Sequence, residues 1–282
     1  MDRRAVSRRA VVFDVDNTLT PPRKPLEREM AHLLTTIDAR VAVAAGSDLP
    51  LVRRQLIEPL GAFGYPTSLD VFVCNGAAHY RCRFGSEPAI ELVSDFDLPS
   101  HLGPGVYDRV VATTLEILDA PEFRLAPPVR VIGERLVHRR SMLNVAPAGR
   151  PVGDLDDEAF RNREAFVAFD RATGFRARML ARMRERLGAL APDKGLWITL
   201  GGETSFDVVA RGHDKTFPIR TLLAEGCAPV SYLGDALFEG GNDFAVVEMI
   251  RSWPDGACPV SAVQVDDWRA TPRVLRELGL IG

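Results

Sequence analysis

The chain has 282 residues, 46% hydrophobic and 26% charged, the balance of a soluble globular protein of about two domains. Its 38 acidic against 35 basic side chains leave a net charge of −3, without the basic excess that nucleic-acid binders carry. No apolar run nears the roughly 18–20 residues of a membrane span, and the apolar stretch Ala10–Phe13 is too short for the core of a signal peptide. The four cysteines (Cys74, Cys82, Cys227, Cys258) lack both close pairing and histidines at ligand spacing. The expectation is a cytoplasmic protein with reduced thiols, whose partner is a small molecule rather than nucleic acid or membrane.

In chain order, four short apolar runs are each followed at once by polar or small residues. They are Ala10–Phe13 before Asp14, Val41–Ala45 before Gly46-Ser47, Val71–Cys74 before Asn75-Gly76, and Val230–Leu233 before Gly234-Asp235. Runs of this kind read as buried strands of a parallel sheet. Amphipathic stretches at Glu27–Ile37, Leu51–Leu60 and Thr216–Leu223 read as the crossover helices. The predicted fold class is α/β: a Rossmann-like, doubly wound parallel sheet, with residues 1–84 and 212–282 as the core. The long gap between the third and fourth strands predicts an inserted α+β domain at 85–211. Within it, Arg135–Val145 reads as strand and Asp154–Phe169 as an acid-rich segment. A helix from Thr173 to Leu187, stopped by Gly188, carries Phe175, Met179, Leu180, Met183 and Leu187 on one face. Its five arginines (Arg176, Arg178, Arg182, Arg184, Arg186) read as a solvated outer face. In Ser205–Ala210 the alternation puts Ser205 and Asp207 on one side of a strand.

Ligands of such sheets bind beyond the carboxyl ends of the strands, where Asp14, Asp16, Ser47 and Asp235 fall. Asp14 and Asp16, in Asp14-Val15-Asp16-Asn17-Thr18-Leu19, are carboxylates two residues apart that repel one another unless a cation or proton sits between them. Ser47 and the exposed amides around it suit an anion. Lys215 opens the helix before the fourth strand. The turn from Asp235 to Asp243, with Gly240-Gly241-Asn242, places acids where Mg2+, a hard cation, takes carboxylate and substrate oxygens.

In this order the DxD, Ser, Lys and GD…GGND elements resemble the haloacid-dehalogenase (HAD) superfamily. The large insertion between the Ser and Lys elements is similar to the cap of its Cof-like (type IIB) branch. Two insert strings narrow the likeness: Arg139-Arg140-Ser141-Met142-Leu143-Asn144-Val145-Ala146-Pro147-Ala148-Gly149-Arg150 and Gly201-Gly202-Glu203-Thr204-Ser205-Phe206-Asp207-Val208 both resemble eukaryotic-type phosphomannomutases. Asn17 replaces the usual Gly of the first motif. The likeness fades over about residues 84–135 and at the C-terminus.

The resemblance implies Asp14 as nucleophile, Asp16 as general acid and base, and Ser47 and Lys215 on the phosphoryl oxygens. It implies Mg2+ held by Asp14, Asp16 (through its backbone carbonyl), Asp235 and Asp243. Arg23, Arg139, Asn144, Arg150, Ser205 and Asp207 would bind the substrate's distal phosphate and hydroxyls. A homodimer through the cap and a hexose 1,6-bisphosphate primer are further implications. Two activities stay open: a mutase interconverting mannose 6-phosphate and mannose 1-phosphate, and a sugar-phosphate phosphatase using water as acceptor. A catalytically silent module would be expected to have lost Asp14, Asp16 or Lys215, and all three are present.

Overall fold

The computed structural model describes residues 8–85, 89–151, 157–254 and 256–282. Its strands, in chain order, are β1 (Arg8–Phe13), β2 (Arg40–Ala44), β3 (Ser68–Val73), β4 (Ala78–Arg83), β5 (Ala89–Asp95), β6 (Glu134–Arg139), β7 (Met142–Arg150), β8 (Leu196–Gly201), β9 (Ser205–Ala210), β10 (Cys227–Gly234) and β11 (Val260–Gln264). The chain divides into two units, Met1–Asp95 with Gly212–Gly282, and Phe96–Arg211.

The first unit is built on a seven-stranded sheet in the order β11-β10-β1-β2-β3-β4-β5. The five strands from β11 to β3 run parallel, and all four strands read from sequence are among them. Helices Arg28–Thr35, Thr216–Ala224 and Phe244–Arg251 make the crossovers. Beneath the last two the sheet buries Ala10, Val12, Ala42, Phe72, Val230 and Tyr232 against Ile219, Leu222 and Val246. Because the chain leaves β1 toward β2 on one side and returns as β10 on the other, a crevice opens at the carboxyl ends of β1 and β10.

Two details depart from expectation. β4 and β5 form an antiparallel hairpin that extends the sheet, so the first unit runs to Asp95, past the expected departure at residue 85. The predicted helix Leu51–Leu60 lies within a helical stretch from Leu49 to Ala62, but its middle, Arg53–Ile57, is wound as a π-turn. All four cysteines are free thiols, three of them buried, and burial pushes the Cys82 thiol up to about 12.

The second unit holds a four-stranded antiparallel sheet, β6-β7-β9-β8. Here the stretch read as one strand from Arg135 to Val145 is a hairpin. The chain reverses at Arg140-Ser141, at the end of the polar run His138–Ser141. One face of the sheet, with Leu143, Val145, Phe206 and Val208, packs on Phe166, Phe175, Met179, Met183 and Leu187. These come from the helices Asp157–Thr173 and Phe175–Leu190, and they include most of the apolar face read for the arginine-rich helix. That helix begins after left-handed Gly174 and runs through Gly188 to Leu190 instead of stopping there. Of the acid-rich segment, residues 154–156 lie outside the described residues. The arginines of the helix are engaged within the unit: Arg176 on Asp170, Arg186 on Glu116, and Arg184 on the Ile198 carbonyl. Among the described residues no helix is long and apolar enough to cross a membrane.

Candidate active site

Asp14 follows β1, Asp235 follows β10 and Asp243 immediately precedes the helix Phe244–Arg251. One carboxylate oxygen from each lies within 4.8 Å of the others. Lys215, directly before the helix Thr216–Ala224, is 0% exposed. Its Nζ donates to the Asp14 carboxylate and to the Ala44 carbonyl, and stands 3.3 Å from Asp243 Oδ1. Three negative groups and one positive group therefore share a crevice largely closed to water.

That imbalance shows in the protonation of the groups. Burial, followed by repulsion from Asp243 and Asp235, holds the Asp14 carboxyl well above the usual carboxylate range despite Lys215. Burial and Asp243 push Asp235 up to about 6. For Lys215 burial acts against the charge, but Asp14 and Asp243 outweigh it and keep the ammonium protonated. A hard divalent cation relieves the repulsion among oxygen donors of this kind, and in that respect the three carboxylates fit Mg2+.

Neighbouring groups fix the carboxylates. Asp243 accepts from the Tyr232 hydroxyl at 2.5 Å and from the Ala236 amide at 3.1 Å. Burial, reinforced by Asp243, keeps that phenol protonated and hence a donor. Gly234 is needed here because a Cβ would collide with the Asp243 carboxylate. Asn17 Nδ2 donates to Asp235 Oδ2 at 3.0 Å, from a backbone at φ 59°. This left-handed conformation suits Gly or Asn, which explains why Asn stands where the motif usually has Gly.

Asp16 lies apart from the three-carboxylate cluster. Its Oδ1 accepts from Gln55 Nε2 at 2.5 Å and from the Arg23 amide at 2.9 Å. Gln55, on the π-turn, also donates to Thr20 Oγ1 at 2.8 Å. Arg23 thus reaches Asp16 through its backbone N–H. Ser47 sits just beyond β2, half-buried, with its carbonyl accepting from the Cys74 amide at 2.8 Å.

In the second unit a separate polar cluster occupies the sheet face opposite the helices. Asn144, 2% exposed, donates from Nδ2 to Asp207 Oδ1 at 2.6 Å and to Ser205 Oγ at 3.1 Å. Its Oδ1 accepts from Arg150 Nε at 3.0 Å, and Arg150 Nη2 is 3.4 Å from Ser205 Oγ. Ser205 in turn donates to the Gly201 carbonyl at 2.6 Å. Arg139 is two residues beyond Val137, which pairs with Asn144, so it lies on the same sheet face. Asn144, Arg150, Ser205 and Asp207 are thus brought together by two strands and the irregular end of β7. Tyr232 and Gln55 belong to the surroundings of the first unit's carboxylates but carried no signal in the sequence. Asn17 did carry one, as the departure from the motif's Gly.

The family model for eukaryotic phosphomannomutase matches residues 30–255. The chain belongs to this family. A phosphomannomutase of Schizosaccharomyces pombe is 30% identical over 255 residues, which cover 87% of this chain and 88% of that protein. One from Spinacia oleracea is 32% identical, covering 86% and 87%. Among solved structures, an IMP-bound Plasmodium falciparum IMP-nucleotidase mutant superposes with a TM-score of 0.63 over 96% of this chain and 68% of its own. At 11% identity that likeness concerns the fold, which is of the HAD type. Membership makes the chain an enzyme, a phosphotransferase of the phosphomannomutase kind.

Proposed function

We propose that this phosphomannomutase-family enzyme interconverts mannose 6-phosphate and mannose 1-phosphate through a phosphorylated Asp14. Asp14 attacks phosphorus, so an aspartyl-oxygen–phosphorus bond forms as the phosphorus–leaving-oxygen bond breaks. Asp16 gives the departing sugar oxygen its proton. It then takes the proton from the hydroxyl that receives the phosphoryl group, a role typically worth about 10²–10⁴-fold. Lys215 orients Asp14 and, with Ser47, faces the phosphoryl oxygens. Asp14, Asp235 and the Asp16 carbonyl would hold Mg2+, with Asp243 in support. When bound, the ion neutralises charge on the transferring phosphoryl group.

A mutase must also hold the phosphate that is not reacting. Arg150, Arg139 and Ser205 are assigned that phosphate, Asn144 and Asp207 the sugar hydroxyls, and Arg23 is a further substrate-binding candidate. Arginine suits the task because its planar fork matches phosphate oxygens. A hexose 1,6-bisphosphate primer, a homodimer through the inserted unit and a cytosolic setting complete the reading. The observation that carries it is the Arg150–Asn144–Ser205–Asp207 cluster, a polar face that phosphoryl transfer to water alone does not require.

The test is phosphorus NMR of the protein with Mg2+, mannose 1-phosphate and a trace of mannose 1,6-bisphosphate. Mannose 6-phosphate appearing without inorganic phosphate is the expected result. Inorganic phosphate alone would make the enzyme a sugar-phosphate phosphatase instead.

A further inference from the structure

Three guanidinium groups converge on the turn Gly201–Ser205, between β8 and β9. Arg176 Nη1 donates to the Gly202 carbonyl at 2.6 Å. Arg163 Nη2 donates to Glu203 Oε2 at 2.5 Å, and its Nη1 stands 3.4 Å from Thr204 Oγ1. Arg150 Nη2 stands 3.4 Å from Ser205 Oγ.

The three are held differently. Arg176 is tied to Asp170 by its backbone amide at 2.6 Å and its Nε at 2.8 Å, which makes it a strut for the turn. Arg163 is the contrast. Its side chain is 21% exposed, whereas the carboxylate facing it, on Glu203, is 49% exposed. An ion pair with one partner this open to water is weak and exchangeable. A phosphate monoester competes well for such a guanidinium, because it offers up to two charges and three strong acceptor oxygens. Gly201 adds to the case. A Cβ there would lie 2.8 Å from Ser205 Oγ and from Asp207 Oδ1, so the turn is kept bare beside this hydroxyl and carboxylate.

We propose that Arg163 is a further phosphate-binding guanidinium beside Arg150 and Arg139, held ready by Glu203, whose carboxylate gives way when the distal phosphate arrives. The proposal rests on the reading of the Arg150 cluster as the distal phosphate site. Arg150 and Arg139 engage two of the phosphate oxygens, and Arg163, coming from the helical side and reaching around the turn past Thr204, takes the third. Nothing in the sequence pattern marks Arg163. It reaches the turn from the second helical turn of Asp157–Thr173, some forty residues away in the chain.

The experiment compares kcat/KM for phosphoryl transfer from mannose 1,6-bisphosphate with that from p-nitrophenyl phosphate, which has no distal phosphate. The full chain is used with Mg2+, and the ratio of the two values is the readout. Arg163→Ala should lower the ratio by about 10- to 100-fold, the effect of losing a charge-assisted hydrogen bond. Arg163→Lys, which keeps the charge without the fork, should lower it by roughly 3- to 10-fold. Glu203→Gln should raise it by about 2- to 5-fold, since the competing carboxylate is gone. This rise is the outcome that a purely structural ion pair does not give.

A fall of the same size in Glu203→Gln and Arg163→Ala would make the pair a strut and overturn the proposal. So would an unchanged ratio in Arg163→Ala when Arg150→Ala loses it. An unchanged ratio in Arg150→Ala would instead remove the distal-site reading on which the proposal stands. If Arg163→Ala does not fold, Arg163→Lys and Glu203→Gln decide the matter by the sign of their effects.

Discussion

Around Asp14, three carboxylates face one ammonium in a buried crevice, whereas around Asn144 an amide, a hydroxyl, a carboxylate and a guanidinium satisfy one another. The first cluster sets three acids against one ammonium, an excess that a divalent cation would relieve. The second is balanced between Arg150 and Asp207, and Arg139 on the same sheet face tips it positive. In the proposed function the first region does chemistry on a phosphoryl group with a metal's help, and the second holds an anion still. The lesson is that net local charge, more than residue type, separates the two: aspartate and a basic side chain occur in both.

The comparison can be broken by variants, and the largest effect is expected at the nucleophile. Asp14→Asn should abolish transfer from sugar phosphate and generic ester alike, by on the order of 10⁴-fold or more. Phosphorylated-protein mass spectrometry should show no adduct, and residual turnover above that level would move the nucleophile elsewhere.

Next comes Asp16→Asn. It should cost about 10²–10⁴-fold with a sugar leaving group, and far less with p-nitrophenol, which departs without a proton. Equal losses would remove the acid–base role.

Arg150→Ala should be smaller and selective. A drop of roughly 10- to 100-fold for mannose 1,6-bisphosphate should accompany a much smaller one for p-nitrophenyl phosphate. Equal losses in both assays would erase the distinction between the two regions.

The smallest effect on activity is expected at a third polar group, away from both. Asp70 accepts from Arg40 Nε at 3.1 Å and Arg81 Nε at 3.0 Å, with the His79 ring nitrogen 2.9 Å away. Burial works to raise its pKa, but the bonds to His79 and Arg40 and the two arginine charges win and hold it well below the usual carboxylate range. A carboxylate depressed in the folded state stabilises fully above its unfolded pKa of about 3.9, and that stability is lost as pH falls further toward the folded value. Asp70→Asn should lower Tm at neutral pH and flatten the acid limb of the Tm–pH curve, with kcat unchanged. A parallel acid limb in the variant would dissociate Asp70 from acid lability.

The crevice was legible in the sequence because its residues end apolar strands or open helices. Asp14 and Asp235 stop runs of Val and Leu, while Lys215 and Asp243 stand where turns give way to helices. The alternation in Ser205–Ala210 likewise revealed the Ser205/Asp207 face. What stayed hidden was decided by tertiary contact. Tyr232 reads as one more strand residue, and its hydroxyl matters only because Asp243 lies beneath it. Gln55 faces Asp16 from a π-turn, whose phase a 3.6-residue pattern does not reveal. Arg163 resembles any surface arginine of an acid-rich helix. The β4–β5 hairpin, with mixed polar sequence and exposed Leu92 and Val93, lacks the apolar run that marked the central strands.

The sheet order also dictates how the protein can be assembled during synthesis. β1, in the middle of the sheet, pairs on one side with β2, some thirty residues later, but on the other with β10, which begins only at Cys227. Until that last fifth of the chain is made, β1 offers a bare edge at the very place where Asp14 will sit, and Asp14 itself waits for the ammonium of Lys215. Exposed edges of apolar strands invite mispairing. A nascent or truncated chain ending before Cys227 is thus both inactive and prone to aggregate, and the long insertion lengthens the time spent in that state.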